Sequence, residues 1–485
     1  MNRETKCALL GIDVGTSGVR AVAVSPTGEI LGEAEERIRQ DHRAAGGIHE
    51  QDPGEWWLAL CSVAQRIVKA LMTEPIEVEV RGVAVTSTSG SLVVADSQGG
   101  PLRPAILYDD GRGMEIAEEL NKQGGAASIR LGPSFSLVKA AWVERHEPEV
   151  WERTRYVLHP ADWLAGKLTG EFGISDFTNA LKLGYDPENC SWAQGTRAAG
   201  LLDDRLPVVR RPGEPIGQVS SMAAAQTGLP PRTPVLAGAT DGMASVIASG
   251  ASRPGDANTT LGTTLVWKVL HDKKPAARSG IYSHLHPGGL WVPGAASNTG
   301  LGSIRRAGGA ASIEEMDRLA AHYFPTSVVC YMLPGVGERF PFVHSNAESF
   351  VEGAPRDSGE SYAAQLQSIA FVERWGYEIL EGCAVKLGDR IFSTGAAAKS
   401  PVLSQLRANV LGKTVLQPRY PAAAFGAAIL AATGAVFAGN IFQAIQSMSS
   451  ILESYPPSAH RVPAFDSVYR SFREACARRG YIACG

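Results

Sequence analysis

The sequence predicts an α/β fold made of two similarly built halves. Strand and helix patterns alternate from one end of the chain to the other, as they do in α/β proteins. A length of 485 residues predicts about three domains or two large ones, and either arrangement can bury proper cores. Two turns rich in glycine and hydroxyl residues, at 15–18 and 262–264, each follow an apolar strand and lead at once into another. This repeat indicates that the halves share one plan.

Composition excludes several classes of protein. With 44% hydrophobic and 20% charged residues, the chain is typical of globular proteins. Its net charge of -3 provides no basic surface for nucleic acid. The seven cysteines contain no CxxC pair, which indicates free thiols. No apolar run reaches about 18 residues, and the first strand begins too early for a signal peptide. We therefore expect a cytoplasmic protein that binds neither nucleic acid nor a membrane.

The first element is an antiparallel meander at the amino terminus. In GIDVGTSGVRAVAV, residues 11–24, two apolar strands flank the turn 15–18, and the turn SPTGE leads to a third strand at 30–34. The glycines let backbone N–H groups approach an anion, and the hydroxyls add donors, so this turn is a candidate phosphate site. Its residues are Gly15, Thr16, Ser17 and Gly18.

Asp13 lies inside the first of these strands, beside the turn. A carboxylate there would repel a phosphate unless a cation lay between them, so the pattern implies Mg²⁺ held directly or through water. The alternative is a tight hairpin with an edge aspartate and no ligand. The second copy, DANTTLGTTLVWKVL at 256–270, favours the phosphate site, and its turn consists of Gly262, Thr263 and Thr264.

Asp241 is the next candidate. In PVLAGATDGMASVIASG, residues 234–250, an apolar strand ends at Gly238 and Asp241 opens a helix of small residues. Aspartate is a good helix N-cap, and that role alone would explain it. A carboxylate at a strand end near two phosphate turns is also suited to accept a hydroxyl proton during phosphoryl transfer. Both roles are compatible.

A third region, STGAAAKSPVLSQLRANVLGKTV, spans 393–415. Small residues after the strand 390–392 would let a flat ligand lie against the backbone, although a close strand-to-helix packing turn needs them equally. The LGKT at 411–414 ends like a P-loop, but the first glycine that such a loop requires would fall on Arg407. It is therefore not a Walker motif.

Taken in order, these segments resemble the FGGY family of carbohydrate kinases, end to end. The family motifs with counterparts here are GIDVGTSGVRAVAVSPTGEIL, PLRPAILYDDGRG, SFSLVKAAWVERHEPEVW, ADWLAGKLTGEFGISDFTNAL, GEPIGQVSSMAAAQTGLPPRTPVLAGATDG, TTLGTT and STGAAAKSPVLSQLRANVLG. The resemblance implies two ribonuclease-H-like domains of the actin-like ATPase superfamily with a catalytic cleft between them. We expect them at 1–248 and 249–485.

The resemblance also implies roles. It makes Asp241 the general base that deprotonates a sugar hydroxyl, and it assigns Asp13 to Mg²⁺ and to the approaching hydroxyl. It implies ATP as phosphoryl donor, bound to phosphate and adenosine turns at Gly15, Thr16, Ser17, Gly262, Thr263, Thr264, Gly395, Ala396 and Lys399. The adenosine motif usually has paired glycines where this chain has Ala396 and Ala397, which questions the nucleotide fit.

The sugar is indicated by a different stretch. Typical xylulokinases have a Gln-Met-His-Gly turn where this chain has TSTSGSLVVAD, with Thr88, Ser89 and Ser91. These small hydroxyls resemble the ribulose kinases of the plant and cyanobacterial group, and each sugar hydroxyl needs a partner once desolvated. The alternative is a loop in solvent. Asp110 would either complete the sugar pocket with Asp13 and Asp241 or pair with Arg112 to brace the loop.

We therefore predict an ATP- and Mg²⁺-dependent ketopentose kinase that acts on D-ribulose. Within the enzyme class, D-xylulose, gluconate, erythritol and glycerol are alternatives, and a homodimer stays open. Outside it, a nucleotide-binding regulator that has lost catalysis is an alternative, although Asp13 and Asp241 are both present. A dinucleotide-binding dehydrogenase is excluded because a strand, not a helix, follows the first glycines.

Overall fold

A computed structural model describes residues 5–38, 42–122, 130–193, 196, 204–304, 312–460 and 462–482. Contacts divide the chain into two compact units, which are Met1–Ala248 with Ala422–Ser449, and Ser249–Pro421 with Ser450–Gly485. The predicted division after residue 248 differs from these units in one segment. Residues 422–449, which the sequence grouped with the second domain, pack with the first unit.

The first unit contains a six-stranded mixed sheet. In spatial order its strands are Pro215–Gln218, Pro234–Leu236, Val78–Ser87, Lys6–Gly15, Gly18–Val24 and Ile30–Arg37. The last three strands are consecutive and antiparallel, which confirms the predicted meander. Lys6–Gly15 also pairs in parallel with Val78–Ser87, which in turn pairs in parallel with Pro234–Leu236.

Helices cover both faces of this sheet. Pro53–Met72 packs on the meander, and Ala423–Ala435 packs on the strands Lys6–Gly15 and Val78–Ser87. The second helix approaches so closely that a Cβ atom on Gly11 would lie 1.9 Å from the carbonyl oxygen of Ala424. Glycine is therefore required in the strand, and this contact explains why the segment 422–449 belongs to the first unit.

The remaining elements of the first unit form smaller layers around the sheet. Their strands are His42–Ala44, Ile48–Gln51, Val93–Ala95, Ala105–Ile106, Tyr156–Leu158, Ile174–Asp176, Tyr185–Asp186, Ser191–Trp192 and Val208–Arg210. Their helices are Met114–Lys122, Ser136–His146, Pro148–Arg153, Pro160–Thr169, Phe177–Ala180, Ser221–Thr227, Asp241–Ser249 and Ile441–Met448.

The second unit contains a seven-stranded sheet. In spatial order its strands are Tyr282–Leu285, Trp291–Ser297, Leu265–Val269, Ala257–Leu261, Arg390–Thr394, Thr414–Pro418 and Ile451–Tyr455. A separate two-stranded sheet pairs Val329–Tyr331 with Phe350–Glu352. The helices are Ile313–Ala320, Ser358–Gly382, Pro401–Leu411 and Val462–Arg478.

The two sheets share one arrangement. In each, a strand ends in a glycine turn, pairs antiparallel with the next strand, and pairs in parallel with a later strand that follows a long helix. That helix is Pro53–Met72 in the first unit and Ser358–Gly382 in the second. The predicted likeness of the halves is confirmed at this level. Within the described residues, no helix is both long enough and apolar enough to cross a membrane.

Candidate active site

Parallel strand ends bring two carboxylates of the first unit to one edge of its sheet. Asp13 pairs in register with Thr86, whose hydroxyl donates to the Asp13 carboxylate at 3.2 Å. The next residue on that strand, Ser87, forms a parallel bridge with Thr240. Asp241 follows as the first residue of the helix Asp241–Ser249. The strand order therefore assembles Asp13, Thr86 and Asp241, although they lie far apart in sequence.

Asp13 and Asp241 are close enough for their charges to interact. Burial, and secondarily the charge of Asp241, raise the pKa of Asp13 from 3.8 to about 7, against the opposing effects of Thr86 and Arg20. Two carboxylates that repel each other bind either a proton or a cation. This pair is thus suited to a cation, a substrate hydroxyl proton, or both.

Buried hydrogen bonds hold Thr240, the residue just before the Asp241 helix. The backbone N–H of Thr240 donates to the Thr178 hydroxyl at 2.9 Å, and that hydroxyl donates to the Asp176 carboxylate at 2.5 Å. All three residues are buried. Burial and the neighbouring Asp162 raise the pKa of Asp176 to about 6. The sequence does not reveal this chain of hydrogen bonds, because no spacing connects 176–178 with 240.

The N-cap explanation for Asp241 is wrong in detail. Thr240 precedes the helix, and its hydroxyl accepts from the backbone N–H of Met243 at 3.4 Å. Asp241 is the first helical residue, and its carboxylate accepts from the N–H of Gly242 at 2.6 Å. Because Thr240 occupies the cap position, the half-buried Asp241 carboxylate is not needed there.

The first turn is a two-residue hairpin connection. Gly15 and Gly18 form its last pair, and the Thr16 carbonyl accepts from the Gln51 side chain at 2.7 Å. A Cβ on Gly18 would lie 2.5 Å from the carbonyl oxygen of Glu36, so glycine is required there for packing. The Ser17 side chain is exposed, and that of Thr16 is half-exposed. Both hydroxyls are accessible to a ligand.

The hydroxyl loop 88–91 is not a solvent loop. Ser91 is fully buried and shares a hydrogen bond of 3.2 Å with Thr88, while Thr88 and Ser89 are half-buried. Gly90 adopts a φ of +89°, and a Cβ there would lie 2.2 Å from the carbonyl oxygen of Ser134. The side chains of Thr88 and Ser89 therefore remain partly accessible, and the buried Ser91 supports the loop through its hydrogen bond with Thr88.

Asp110 makes the contacts of a brace. Its buried carboxylate accepts from the Arg112 side chain at 2.9 and 2.7 Å and from the N–H of His49 at 2.7 Å. Although burial acts to raise it, these hydrogen bonds lower the pKa of Asp110. Arg112 also lies over the Trp142 ring, 4.8 Å from its centroid. The pairing alternative accounts for these contacts, and a sugar contact by Asp110 stays a prediction.

In the second unit, the turn 262–264 is supported by the segment that follows Trp291–Ser297. The N–H of Leu301 donates to the Gly262 carbonyl at 2.8 Å, and the N–H of Gly302 donates to the Thr263 carbonyl at 3.2 Å. A Cβ on Gly300 would lie 2.5 Å from the carbonyl oxygen of Thr263. These bonds fix the turn from behind and leave the Thr263 side chain exposed.

The predicted adenosine turn follows the strand Arg390–Thr394. Gly395 has a φ of +86°, and a Cβ there would lie 2.6 Å from the carbonyl oxygen of Leu261, so no other residue fits without strain. Ala396–Lys399 forms a single 3₁₀ turn. Ala396 and Lys399 are exposed, whereas Ala397 is buried. Of the two alanines that replace glycines, only Ala396 is therefore at the surface.

A buried ion pair joins the strands that carry both of these turns. Arg407 bonds Glu373 at 2.6 and 2.7 Å, and both side chains are completely buried. Thr259, on the strand before the turn 262–264, donates to Glu373 at 2.6 Å. Ser393, on the strand before Gly395, accepts from Arg407. The network fixes the spacing between the two strand ends.

The carboxylate pair of the first unit can be compared with the ligands that Mg²⁺ needs. Within the described residues there is no cluster of three or more metal-binding side chains. Mg²⁺ is usually held by one or two carboxylates, with water and substrate phosphate completing its shell. Asp13 and Asp241 offer two carboxylates of that kind. Burial is the main cause of the raised pKa of Asp13, and a bound cation would relieve the second cause, the repulsion from Asp241.

The fold is that of solved sugar kinases. The structure of xylulose kinase from Rhodospirillum rubrum matches with a TM-score of 0.86 at 24% identity, over 97% of this chain and 98% of that one. This likeness defines the class of fold as the two-domain α/β fold of solved sugar kinases.

The family models identify the chain more closely. The model for the N-terminal domain of the FGGY family of carbohydrate kinases matches residues 8–248, and that for the C-terminal domain matches residues 257–435. The chain therefore belongs to the FGGY family of carbohydrate kinases, ATP-dependent enzymes that phosphorylate an alcohol group. The xylulose kinase of Staphylococcus epidermidis (strain ATCC 12228 / FDA PCI 1200) is 26% identical, over 96% of this chain and 95% of the relative. The glycerol kinase of Citrifermentans bemidjiense is 30% identical, over 88% and 90%.

Proposed function

We propose that this carbohydrate kinase transfers the γ-phosphoryl group of ATP to a ketopentose, and that the sugar is D-ribulose, giving D-ribulose 5-phosphate. The observation that carries the proposal is the half-buried loop 88–91, which presents the hydroxyls of Thr88 and Ser89 on the unit that holds Asp13 and Asp241. Partly desolvated hydroxyls suit a polyhydroxyl substrate, because each side can satisfy the other's hydrogen bonds. D-Xylulose is the second candidate, since the relative from S. epidermidis is a xylulose kinase.

Asp241 is the proposed general base. Its carboxylate is half-buried and accepts a hydrogen bond from the Gly242 N–H. The chain of hydrogen bonds from Thr240 to Thr178 to Asp176 holds the backbone just before it. It takes the proton of the attacking hydroxyl as that oxygen bonds to the γ-phosphorus and ADP leaves. Proton acceptance of this kind contributes about 10²–10⁴-fold to a rate. The same fixed position orients the hydroxyl for in-line attack.

Asp13 is the proposed magnesium ligand and a second contact for the sugar hydroxyl. Bound Mg²⁺ would neutralise phosphate charge as the phosphoryl group moves. Thr86 keeps the Asp13 carboxylate oriented by its 3.2 Å hydrogen bond. Gly15, Thr16 and Ser17 offer backbone and hydroxyl donors to a phosphate in the same unit.

The second unit is proposed to bind the nucleotide. The turn Gly262, Thr263 and Thr264 offers N–H and hydroxyl donors to phosphate, and the turn that begins at Gly395 lets adenosine lie against backbone. Gly395 supports this assignment because its conformation and its contact with Leu261 exclude a side chain. Gly395, Ala396 and Lys399 are exposed in that turn.

We further propose that the enzyme works in the cytoplasm, with a sugar and ATP as its ligands and without nucleic acid or membrane. The six cysteines within the described residues are all free thiols, which supports a reducing compartment. A homodimer remains a prediction.

The test is a coupled ADP-release assay with Mg²⁺-ATP and D-ribulose, D-xylulose, L-ribulose, gluconate, glycerol and erythritol. We expect the highest kcat/KM with D-ribulose and its loss in the Asp241→Asn protein. A higher value with D-xylulose would establish the second candidate. ATP binding without turnover of any of these compounds would refute the ketopentose proposal and favour a nucleotide-binding regulator.

A further inference from the structure

Lys182 is a charged side chain of the first unit whose ammonium interacts electrostatically with the proposed base, Asp241. It lies in the 3₁₀ turn Leu181–Leu183, directly after the helix Phe177–Ala180. That helix contains Thr178, which accepts from the N–H of Thr240 at 2.9 Å. The segment 177–183 therefore both bonds Thr240, the residue before Asp241, and carries Lys182.

The stem of Lys182 runs along the hydroxyl loop. The position of a Cβ on Gly90 would be 3.6 Å from Cδ of Lys182. The ammonium lies 4.7 Å from the centroid of the Phe135 ring and donates to the Ser134 hydroxyl at 3.3 Å. Lys182 thus borders the same loop that presents Thr88 and Ser89.

Lys182 has donor capacity that the protein does not use. An ammonium has three N–H donors, and the Ser134 hydroxyl takes one of them at a long distance. In the part of the chain that the structure describes, no carboxylate oxygen lies within 4.0 Å of its Nζ. Arg112 in the same unit shows the contrast, because it is paired with both Asp110 and Glu50.

The surroundings make the unpaired ammonium costly. Burial lowers the pKa of Lys182, and the charge of Asp241 acts in the opposite direction and favours the ammonium. A half-buried cation without a counterion is less well solvated than one at the surface, and a ligand that supplies acceptors would stabilise it. Lys139, the other buried lysine nearby, donates to the Pro133 carbonyl at 2.7 Å and is fully enclosed. Lys182, by contrast, is only half-buried and accessible from outside.

We infer that Lys182 is a specificity residue that donates a hydrogen bond to the carbonyl oxygen of the bound sugar and so selects ketoses over the corresponding alditols. The inference rests on the proposed function and names the feature of the substrate that is read. An ammonium can only donate, and a carbonyl oxygen can only accept, so the two are complementary. An alditol has a hydroxyl at that carbon, whose proton needs an acceptor that Lys182 cannot provide. The alditol oxygen can still accept from Lys182, so the discrimination comes from its hydroxyl proton, which is left without an acceptor.

The experiment compares D-ribulose with ribitol and D-xylulose with xylitol. The variants are Lys182→Met, which keeps the length of the stem without the charge, Lys182→Arg, which keeps the charge, and Ser134→Ala, which removes only the internal hydrogen bond. We expect Lys182→Met to lower kcat/KM for the ketose at least tenfold, chiefly through KM. The value for the alditol should change less than threefold, as should the KM for ATP. Lys182→Arg should recover part of the ketose preference, and Ser134→Ala should keep it.

Equal losses for ketose and alditol in Lys182→Met would overturn the inference, because a purely structural role would affect both. A second measurement needs no variant. Acetylation of the wild-type enzyme by a lysine-selective reagent, mapped by mass spectrometry, should slow at least fivefold at Lys182 when the ketose is saturating, with the exposed Lys122 as internal control. Absence of protection would overturn the inference even if Lys182→Met failed to fold.

The same data separate this inference from the proposed function. If the wild type prefers D-xylulose to D-ribulose, the proposed sugar is wrong, while Lys182 is still decided by D-xylulose against xylitol. If the wild type phosphorylates alditols as well as ketoses, the role of Lys182 is refuted, while the enzyme is still a ketopentose kinase.

Discussion

Replacing Asp241 by asparagine tests the proposed chemistry with the least disturbance of the fold. Asparagine retains an oxygen that can accept from the Gly242 N–H, now at 2.6 Å, and the cap at Thr240 is untouched. The change therefore removes a charge and a proton acceptor but keeps the start of the helix. Loss of a general base lowers turnover by about 10²–10⁴-fold, which corresponds to about 3–5 kcal/mol of transition-state stabilisation.

The same substitution should also lower the pKa of Asp13, and a turnover assay does not measure that effect. The charge of Asp241 is one of the two causes that raise the pKa of Asp13 to about 7. A raised pKa means that the folded protein favours the protonated form of this carboxyl group. Without the neighbouring charge, the pKa of Asp13 must fall towards its ordinary value of 3.8, although burial will still hold it above that value.

Two assays check these effects. Steady-state ADP release with the preferred sugar should show the loss of kcat, while ATP binding measured by calorimetry stays within several-fold of wild type. A ¹³C NMR titration of aspartate-labelled protein should show the Asp13 carboxyl group ionising at lower pH in the variant. Turnover within threefold of wild type would remove Asp241 as the base. An unchanged Asp13 titration would mean that the two carboxylates do not interact.

Three further predictions concern other parts of the site. Asp13→Asn keeps an oxygen that accepts from Thr86 but removes the charge. We therefore expect kcat to fall at least 100-fold and half-activation to need a higher Mg²⁺ concentration, measured as activity at fixed ATP. An unchanged dependence of activity on Mg²⁺ would place the ion elsewhere. Glu373→Gln leaves the completely buried Arg407 without its counterion. Urea unfolding should show that the free energy of unfolding falls by about 3–5 kcal/mol. A decrease of less than about 1 kcal/mol would contradict the role of the ion pair. Gly395→Ala forces a Cβ to within 2.6 Å of a backbone oxygen at a φ of +86°, so KM for ATP should rise at least tenfold while the sugar KM stays constant. Gly382→Ala is the matched control, since its Cβ would meet nothing within 4 Å, and equal behaviour of the two variants would refute the adenosine assignment.

Local patterns predicted the elements that carry the site. The meander around the turn 15–18, the hairpin around 262–264 and the helix that begins at Asp241 are all present. Each combines an apolar strand with residues that only a turn or a helix start accommodates. Such signals depend on neighbours in sequence, and for that reason they can be read without a structure.

Contacts between distant segments were not predictable in this way. The return of 422–449 to the first unit depends on the close packing of a helix on Gly11, and the loop 88–91 turned out to be half-buried because Gly90 lies against Ser134. The pairing of Asp110 with Arg112 was one of the two predicted alternatives, whereas the hydrogen bond to Asp110 from the N–H of His49, on the strand Ile48–Gln51, was not predicted. In each case the partner lies on another element, so the sequence offers no spacing that would reveal it.

The sequence by itself determined the fold class, the duplicated glycine turns and the two candidate aspartates, because strand periodicity, glycine turns and an acidic helix start are properties of short segments. Only the tertiary structure decided how these groups are supported. Parallel pairing of three strands put Asp13, Thr86 and Asp241 at one sheet edge. That edge is where burial and the repulsion between the two carboxylates raise the pKa of Asp13. Burial and like-charge repulsion are properties of the assembled fold. Burial depends on which side chains exclude water, and repulsion depends on which charges the strand pairing brings close together.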